Sequence, residues 1–329
     1  MSVEWRISDM RSAYGEALLE LGERNPDVVV LDADLAHSLK TLKFKERFPD
    51  RYFNVGIAEQ NMISIAAGLA TCGKIPFVNS FSVFVPGRCY DQVRLSVGYT
   101  GLNVKLVGSH SGVSVGEDGA SHHGTEDIAL TRVIPGMVVI VPADAVEVKK
   151  VVFAAAEYEG PVYIRLVRPK TPVILDEGYE FRIGKALQLT DGDDATIVAC
   201  GIEVWQALEA SHILLEEGIR VRVLNMSTVK PLDEEALLKA ARETGAIVTA
   251  EDHTIIGGLG GAVSEFLSEN FPVPVVRVGI RDVWGQSGSW KELLEHYGLS
   301  ARHIAEAVKK AMALRDKARS PARRGEGER

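Results

Sequence analysis

The chain has 329 residues, 46% of them hydrophobic, and a formal net charge of −8 at pH 7. That length suits two α/β-sized domains with large cores, and the acidic balance argues against nucleic-acid binding, which needs a basic face. The opening stretch MSVEWRISDM lacks the apolar run of a signal peptide, and no apolar stretch is long enough to span a membrane.

Three cysteines, Cys72, Cys89 and Cys200, are odd in number and without CxxC spacing. They are expected as reduced core residues of a cytoplasmic protein, with no disulfide or zinc role.

In chain order, a helical pattern over residues 8–25 is followed by the apolar strand VVVLDADL (28–35), a helix over 58–71, and the strand IPFVNSF (75–81). A helix over 87–98, the strand NVKLVGS (103–109), the strand MVVIVPA (137–143), a helix over 144–158 and the strand PVYIRLV (161–167) complete the first half. Continuous apolar strands separated by helices predict a mostly parallel sheet flanked by helices. The alternation pauses over 171–189 and resumes with ATIVACG, VRVLNM, AIVTAE and VPVVRVGI, each followed by a helical segment. The fold class is therefore α/β, with one domain over 1–180, a second over 185–316, and a disordered tail over 317–329.

Chemistry gathers in three places. Glu59, in NVGIAEQNM (54–62), opens a helix whose flank Ile63, Ala66, Ala67 and Leu69 is apolar. An isolated glutamate in a first turn ordinarily just complements the helix dipole. Here Gly56 allows close backbone approach, and an apolar floor would raise the carboxyl pKa and let it share a proton with a ring nitrogen. Phe81 and Phe84 stand where a strand gives way to a loop, the edge at which α/β sheets bind ligands. Each alone reads as a core aromatic; beside an acid they form a slot for a flat heteroaromatic. The segment GSHSGVSVGEDGASHHGTED (108–127) packs His110, Glu117, Asp118, His122 and His123 into one loop without zinc spacing. Its GVSVG (112–116) matches a GxSxG nucleophile elbow, making a serine hydrolase using Ser114 a rival reading, although no helix pattern leaves the serine.

NVGIAEQNM, SFSVF, SHSGVSVGEDGASHHG and RVIPGMVVIVPADA together resemble the pyrimidine-binding domain of transketolase. STVKPLDEEAL and VTAEDHTIIGGLGGAVSEFL resemble the C-terminal domain of that family, so the likeness covers roughly residues 8 to 313 in family order. The resemblance implies thiamine diphosphate as cofactor, with Glu59 hydrogen-bonded to the aminopyrimidine and favouring the tautomer that activates the thiazolium carbon. It implies that Phe81 and Phe84 pack on the pyrimidine, and that Asp34 and Leu35 line the cofactor at a subunit interface. On the substrate side, His110, Asp118 and His122 match residues that bind sugar hydroxyls or a terminal phosphate, His110 also as a proton-handling group. Arg11, Ser38 and Arg168 match the phosphate contacts, Arg168 being preferred over Arg165 by alignment.

The GDG…Asn motif that holds diphosphate through Mg2+ has no counterpart; the nearest string, TDGDDAT (190–196), lies in the second half. The resemblance is thus to the back part of a transketolase, and implies the C-terminal subunit of a split enzyme, active only with a partner subunit carrying the GDG…Asn domain and most of the Mg2+ site. An α2β2 assembly is the expectation, with a dimer of this chain as an alternative. The stretch VPGRCYDQV is closer to deoxyxylulose-phosphate synthase, and ASHHG departs from transketolase, so a decarboxylating synthase or a 2-oxoacid dehydrogenase E1 β-like subunit stands as a rival. A non-catalytic assembly subunit is another. GGLGG (257–261) and EDH (251–253) read as helix-start packing and as structural or interfacial residues.

Overall fold

The computed structural model describes residues 5–319. The first sheet is built from β2 (Val28–Asp32), β3 (Tyr52–Asn54), β4 (Ile75–Phe81), β5 (Lys105–Ser109), β6 (Val138–Ile140) and β7 (Val162–Arg165), after a short β1 (Ile7–Asp9) that pairs instead with β8 (Lys170–Pro172). Its spatial order is β6-β7-β5-β4-β2-β3, every pair parallel. The strands are buried along most of their length, as a sheet covered on both faces requires. Helices α1 (Met10–Arg24) and α7 (Ala145–Glu157) pack on one another, and α4 (Glu59–Thr71) covers the sheet elsewhere, with α2 (Ala36–Leu39), α3 (Leu42–Arg47), α5 (Tyr90–Gln92) and α6 (Asp127–Arg132) filling the connections. Two aspartates start the long helices: Asp9 accepts from the Arg11 amide, and Asp144 from those of Val146 and Glu147.

The second sheet comprises β9 (Leu187–Thr190), β10 (Ala195–Ala199), β11 (Val221–Asn225), β13 (Ile247–Thr254) and β14 (Val275–Ile280) in the order β14-β13-β10-β11-β9, parallel except for β9. It is sandwiched between α8 (Glu203–Glu216) with α12 (Ala301–Arg319) and α9 (Glu234–Glu243) with α10 (Leu259–Asn270); a short α11 (Trp290–His296) precedes α12. The intervening β12 (Thr228–Lys230) leaves this half and pairs antiparallel with β6, closing the edge of the first sheet. A strand exchanged in this way welds the two halves.

Three expectations change. The helix over 87–98 is instead a run from Val83 to Tyr99, π-helical over Val83–Arg88 and Val93–Tyr99 with α5 between; Pro86 supplies no amide to an α-helical ladder. Cys72 is exposed, capping α4 at a surface turn, while Cys89 and Cys200 are buried; all three are unpaired. The tail expected from residue 317 begins inside α12, which runs to Arg319, because Ile304, Ala305, Val308 and Ala311 bury one face of that helix. The remainder of that tail, 320–329, lies outside the described residues. Among the described residues no helix is long and apolar enough to cross a membrane.

Candidate active site

Parallel strands deliver their C-terminal ends to one edge, where α/β sheets bind ligands. Phe81 is the last residue of β4, and His110 follows directly on β5 with a φ of 55°. That left-handed turn, rare for a residue with a Cβ, sets the His110 ring against Phe81 with centroids 3.9 Å apart and planes at 28°. Phe84 stacks on Phe81 at 6.0 Å, and His122 meets both phenylalanines edge-on, at 6.2 and 5.7 Å. Four rings from three segments thus share one wall. Burial, followed by the positive charges of Arg11 and Arg168, lowers the His110 pKa to about 3. It therefore stands as a neutral imidazole at physiological pH, with Nδ1 3.0 Å from the Ser109 hydroxyl.

Glu59 is the first residue of α4 and is 2% exposed, with Ile63, Ala66 and Ala67 buried behind it. The turn that delivers it is tied by Asn54, whose side-chain oxygen accepts from the amides of Gly56 (3.0 Å) and Asp34 (3.1 Å). Asn54 also donates to the Asp34 carboxylate at 3.1 Å. Asp34 and Leu35 therefore occupy the turn after β2, bound to the one that leads into Glu59. Both Glu59 oxygens accept from a single nitrogen of Arg88, at 3.0 and 2.9 Å, and the Arg88 guanidinium lies 4.1 Å from the Phe84 ring centre. Arg88 joins the carboxylate to the rings, and nothing in the sequence pattern singled it out. Neighbouring Asp32, buried beneath the Asp34 turn, has its pKa raised to about 6 by desolvation.

The basic side of the site lies nearby. Asp9 fixes Arg11 in the first turn of α1 at 3.2 Å, leaving a longer contact of 3.4 Å to the Ser38 carbonyl. Ser38 thus meets Arg11 through its backbone. Arg168 donates to the Val115 carbonyl at 2.7 Å and pairs with Glu117 and Asp118 at 3.0 and 3.5 Å. Arg11, Ser114, Glu117, Arg168 and Lys170 line one cavity of about 360 Å³ together with Trp290 and Lys291 from the second half. Arg165 is elsewhere: fully buried, it donates to Asp127 at 2.8 Å and to the carbonyls of Gly124 and Asp252 at 3.0 and 2.9 Å. It serves the interface between halves.

The loop carrying His110, Asp118 and His122 is held from both halves. The Gly112 amide donates to the Gly124 carbonyl at 2.8 Å, closing its base. Asp252, on β13, accepts from the amides of Val113 (2.9 Å) and Ser114 (3.1 Å). His253 accepts from the Ala129 amide at 3.3 Å, and buried His123 meets the Gly116 carbonyl at 3.1 Å. EDH is thus an interfacial clamp. Its first member, Glu251, accepts from the Leu259 and Gly260 amides at 2.7 and 2.8 Å, so the N-terminus of α10 within GGLGG is filled by the protein's own carboxylate. Ser114 is buried and donates to the Ser111 carbonyl at 3.2 Å, and only one 3₁₀ turn, Val113–Val115, surrounds it. A nucleophile elbow needs a strand entering the serine and a helix leaving it; the hydrolase reading fails on that geometry.

Two α/β sheets welded in series, with a buried glutamate beside stacked rings at the strand ends of the first, define the class: a two-domain α/β protein with a carboxylate-and-aromatic site. Residues 8–173 match the pyrimidine-binding domain of transketolase and residues 184–304 the transketolase C-terminal domain. A Methanocaldococcus jannaschii protein named for a transketolase C-terminal section is 51% identical over 306 residues, covering 92% of this chain and 96% of its own. The 6-deoxy-6-sulfo-D-fructose transketolase subunit SqwH of a Clostridium species is 47% identical, covering 91% of this chain and 93% of its own. A solved split-gene transketolase, an inactive β4 tetramer, superposes with a TM-score of 0.88 at 52% identity, covering 93% of this chain and 99% of that one. The chain belongs to the transketolase family, and among its relatives are subunits of split transketolases.

Proposed function

We propose that this chain is the C-terminal subunit of a split, thiamine-diphosphate-dependent transketolase that moves a two-carbon ketol unit from a ketose phosphate to an aldose phosphate. The observation that carries this reading is Glu59: a carboxylate 2% exposed, at a helix mouth, beside two stacked phenylalanines. The residues fit an aminopyrimidine. Glu59 is partnered by one arginine whose side chain is 44% exposed and free to leave, and the ring wall offers a flat apolar face. Thiamine diphosphate, when bound, supplies the thiazolium carbon at which a two-carbon unit is carried.

The chain's own residues have separate tasks. Glu59 holds and exchanges a proton with the pyrimidine nitrogen, Phe81 and Phe84 pack on its ring, and Asp34 and Leu35 border the cofactor. His110, kept neutral by burial and two nearby arginines, gives and accepts hydrogen bonds to sugar hydroxyls without adding charge. Asp118 and His122 orient the donor hydroxyls, and Arg11, Ser38 and Arg168 receive the terminal phosphate, for which the arginine fork is apt. SqwH is named for a sulfonated ketose; a substrate with an anionic end suits the cluster of Arg11 and Arg168 here. Magnesium and the diphosphate fall to a partner chain. Ile57, two residues before Glu59, is 76% exposed, and exposed Leu95 and Tyr99 lie on the segment packed against α4, an apolar rim suited to that partner. In this reading the enzyme is a cytoplasmic α2β2 assembly, and this chain carries the pyrimidine-binding domain over 1–180 and the C-terminal domain over 185–316.

The test is reconstitution. The chain alone is expected to show no ketol transfer; mixed with the partner subunit, thiamine diphosphate and Mg2+, it is expected to transfer from a ketose phosphate to an aldose phosphate, and Glu59→Ala to abolish turnover. Carbon dioxide released from pyruvate, or near-normal turnover in the Glu59 variant, would overturn the reading.

A further inference from the structure

A buried charge must be paired, because desolvation costs several kcal/mol unless an opposite charge and hydrogen bonds offset it. Glu59 has that pair in Arg88, one nitrogen of which bridges both carboxylate oxygens at 3.0 and 2.9 Å. The same guanidinium lies over the face of Phe84 at 4.1 Å. Arg88 therefore uses two features at once, the carboxylate and an aromatic face. These are the two features that the proposed function assigns to the aminopyrimidine ring. A guanidinium is flat, delocalised, rich in N–H donors and stacks on aromatic rings, so its chemistry imitates a protonated aminopyrimidine.

Its tether makes it removable. The Arg88 side chain is 44% exposed, whereas Glu59 is 2% exposed, so the arginine can swing outward while the carboxylate cannot. Arg88 also stands on the irregular stretch where the π-helical turn Val83–Arg88 gives way to Cys89, with Gly87 beside it and its own carbonyl accepting from the Gln60 side chain at 3.2 Å.

We propose that Arg88 is a built-in placeholder: in the chain free of cofactor it pairs with the carboxylate and covers the Phe84 face, and it yields both to the aminopyrimidine of thiamine diphosphate. The inference rests on the cofactor reading above and adds an exchange to it. Without the arginine the chain free of cofactor would bury an unpartnered carboxylate. With it, cofactor binding must first break an ion pair and a cation–π contact.

Arg88→Gln and Arg88→Lys test this. Thermal unfolding of the full chain alone is expected to occur at lower temperature in Arg88→Gln, with Arg88→Lys recovering part of the loss because it restores the charge but not the flat group over Phe84. In the complex with the partner subunit and Mg2+, titration calorimetry with thiamine diphosphate is expected to give roughly two- to fivefold tighter binding for Arg88→Gln, the scale of breaking one partly exposed pair. Unchanged or weaker binding by Arg88→Gln, with wild type binding normally, overturns the placeholder role and makes Arg88 either idle or a cofactor contact. Failure of wild type and variant alike to bind overturns the cofactor reading together with the exchange, a distinct result.

Discussion

Asp252 offers a quantitative test of how the second half of the chain shapes the site. Its two carboxylate oxygens divide the work: Oδ1 accepts from the Val113 amide at 2.9 Å, Oδ2 from the Ser114 amide at 3.1 Å. The residues involved are all buried, and a Cβ added to Gly112 would meet the carboxylate at 2.1 Å, so the loop packs directly on it. Asp252→Ala leaves two buried amides without acceptors, each costing about 1–3 kcal/mol, or roughly 2–6 kcal/mol together. Asp252→Asn preserves shape but has one oxygen, so one amide faces an NH2 group and loses its acceptor; roughly half that loss is expected. Denaturant unfolding of the chain measures both. In the reconstituted enzyme the same variants should raise KM for the phosphorylated substrates, since the anchored loop carries His110, Asp118 and His122. Two variants within about 0.5 kcal/mol of wild type, the range of an indifferent substitution, would refute the view that β13 fixes the loop.

Arg168→Ala should raise KM for phosphorylated substrates by about tenfold or more, the loss of a charge-assisted contact, while leaving unphosphorylated analogues unaffected; an equal effect on both would place Arg168 outside the phosphate site. Arg165→Met should act on stability instead, by about 3–5 kcal/mol, because it strands buried Asp127; calorimetric unfolding reads it. Burial lowers His253 to about 4, and it is followed by opposing contributions from Asp127 and Arg165. The folded state then binds fewer protons than the unfolded one between about pH 6.5 and 4, so this group's stabilisation is lost as pH falls through that window. His253→Gln should therefore flatten the decline in stability from pH 7 to 5 by about 2 kcal/mol; parallel pH profiles for variant and wild type would contradict the assignment.

The parallel strands were legible because apolar runs bounded by turns have few other uses, and the C-terminal ends of those runs pointed to Phe81 and the loop after Ser109; their order in the sheet was not. Glu59 was legible from its setting at a helix start on an apolar face. Other features left no local trace. Arg88 pairs with a carboxylate 29 positions away, and exposed-looking arginines are common, so only the fold brings the two together. β12 reads as a loop because three residues carry no period; its pairing with β6 is a property of the other half. The regular helix expected over 87–98 was set to begin after Pro86, whereas the helical run already starts at Val83 and takes wide π-turns on both sides of α5. The placement of Cys72 in the core followed average burial of cysteine, which says little about a residue capping a helix at the surface.

The second half makes a contribution that neither motif nor composition announced. The loop that presents His110 and His122 to Phe81 and Phe84 has turns of its own, yet its amides at Val113 and Ser114 end on Asp252, and the Gly124 carbonyl at its base accepts from Arg165, which also grips the Asp252 carbonyl. Lys291 and Trp290, on α11, then complete the wall of the cavity that holds Arg11 and Arg168. Ring stacking tolerates little misplacement, since contacts fall off within an ångström. A first domain separated from the second would keep Glu59 on α4 and Phe81 on β4, yet release the loop. Such a fragment should retain the carboxylate and lose the His110–Phe81 stack, so the transketolase C-terminal domain acts here as part of the site's frame, and its removal should abolish substrate recognition before it abolishes folding of the first sheet.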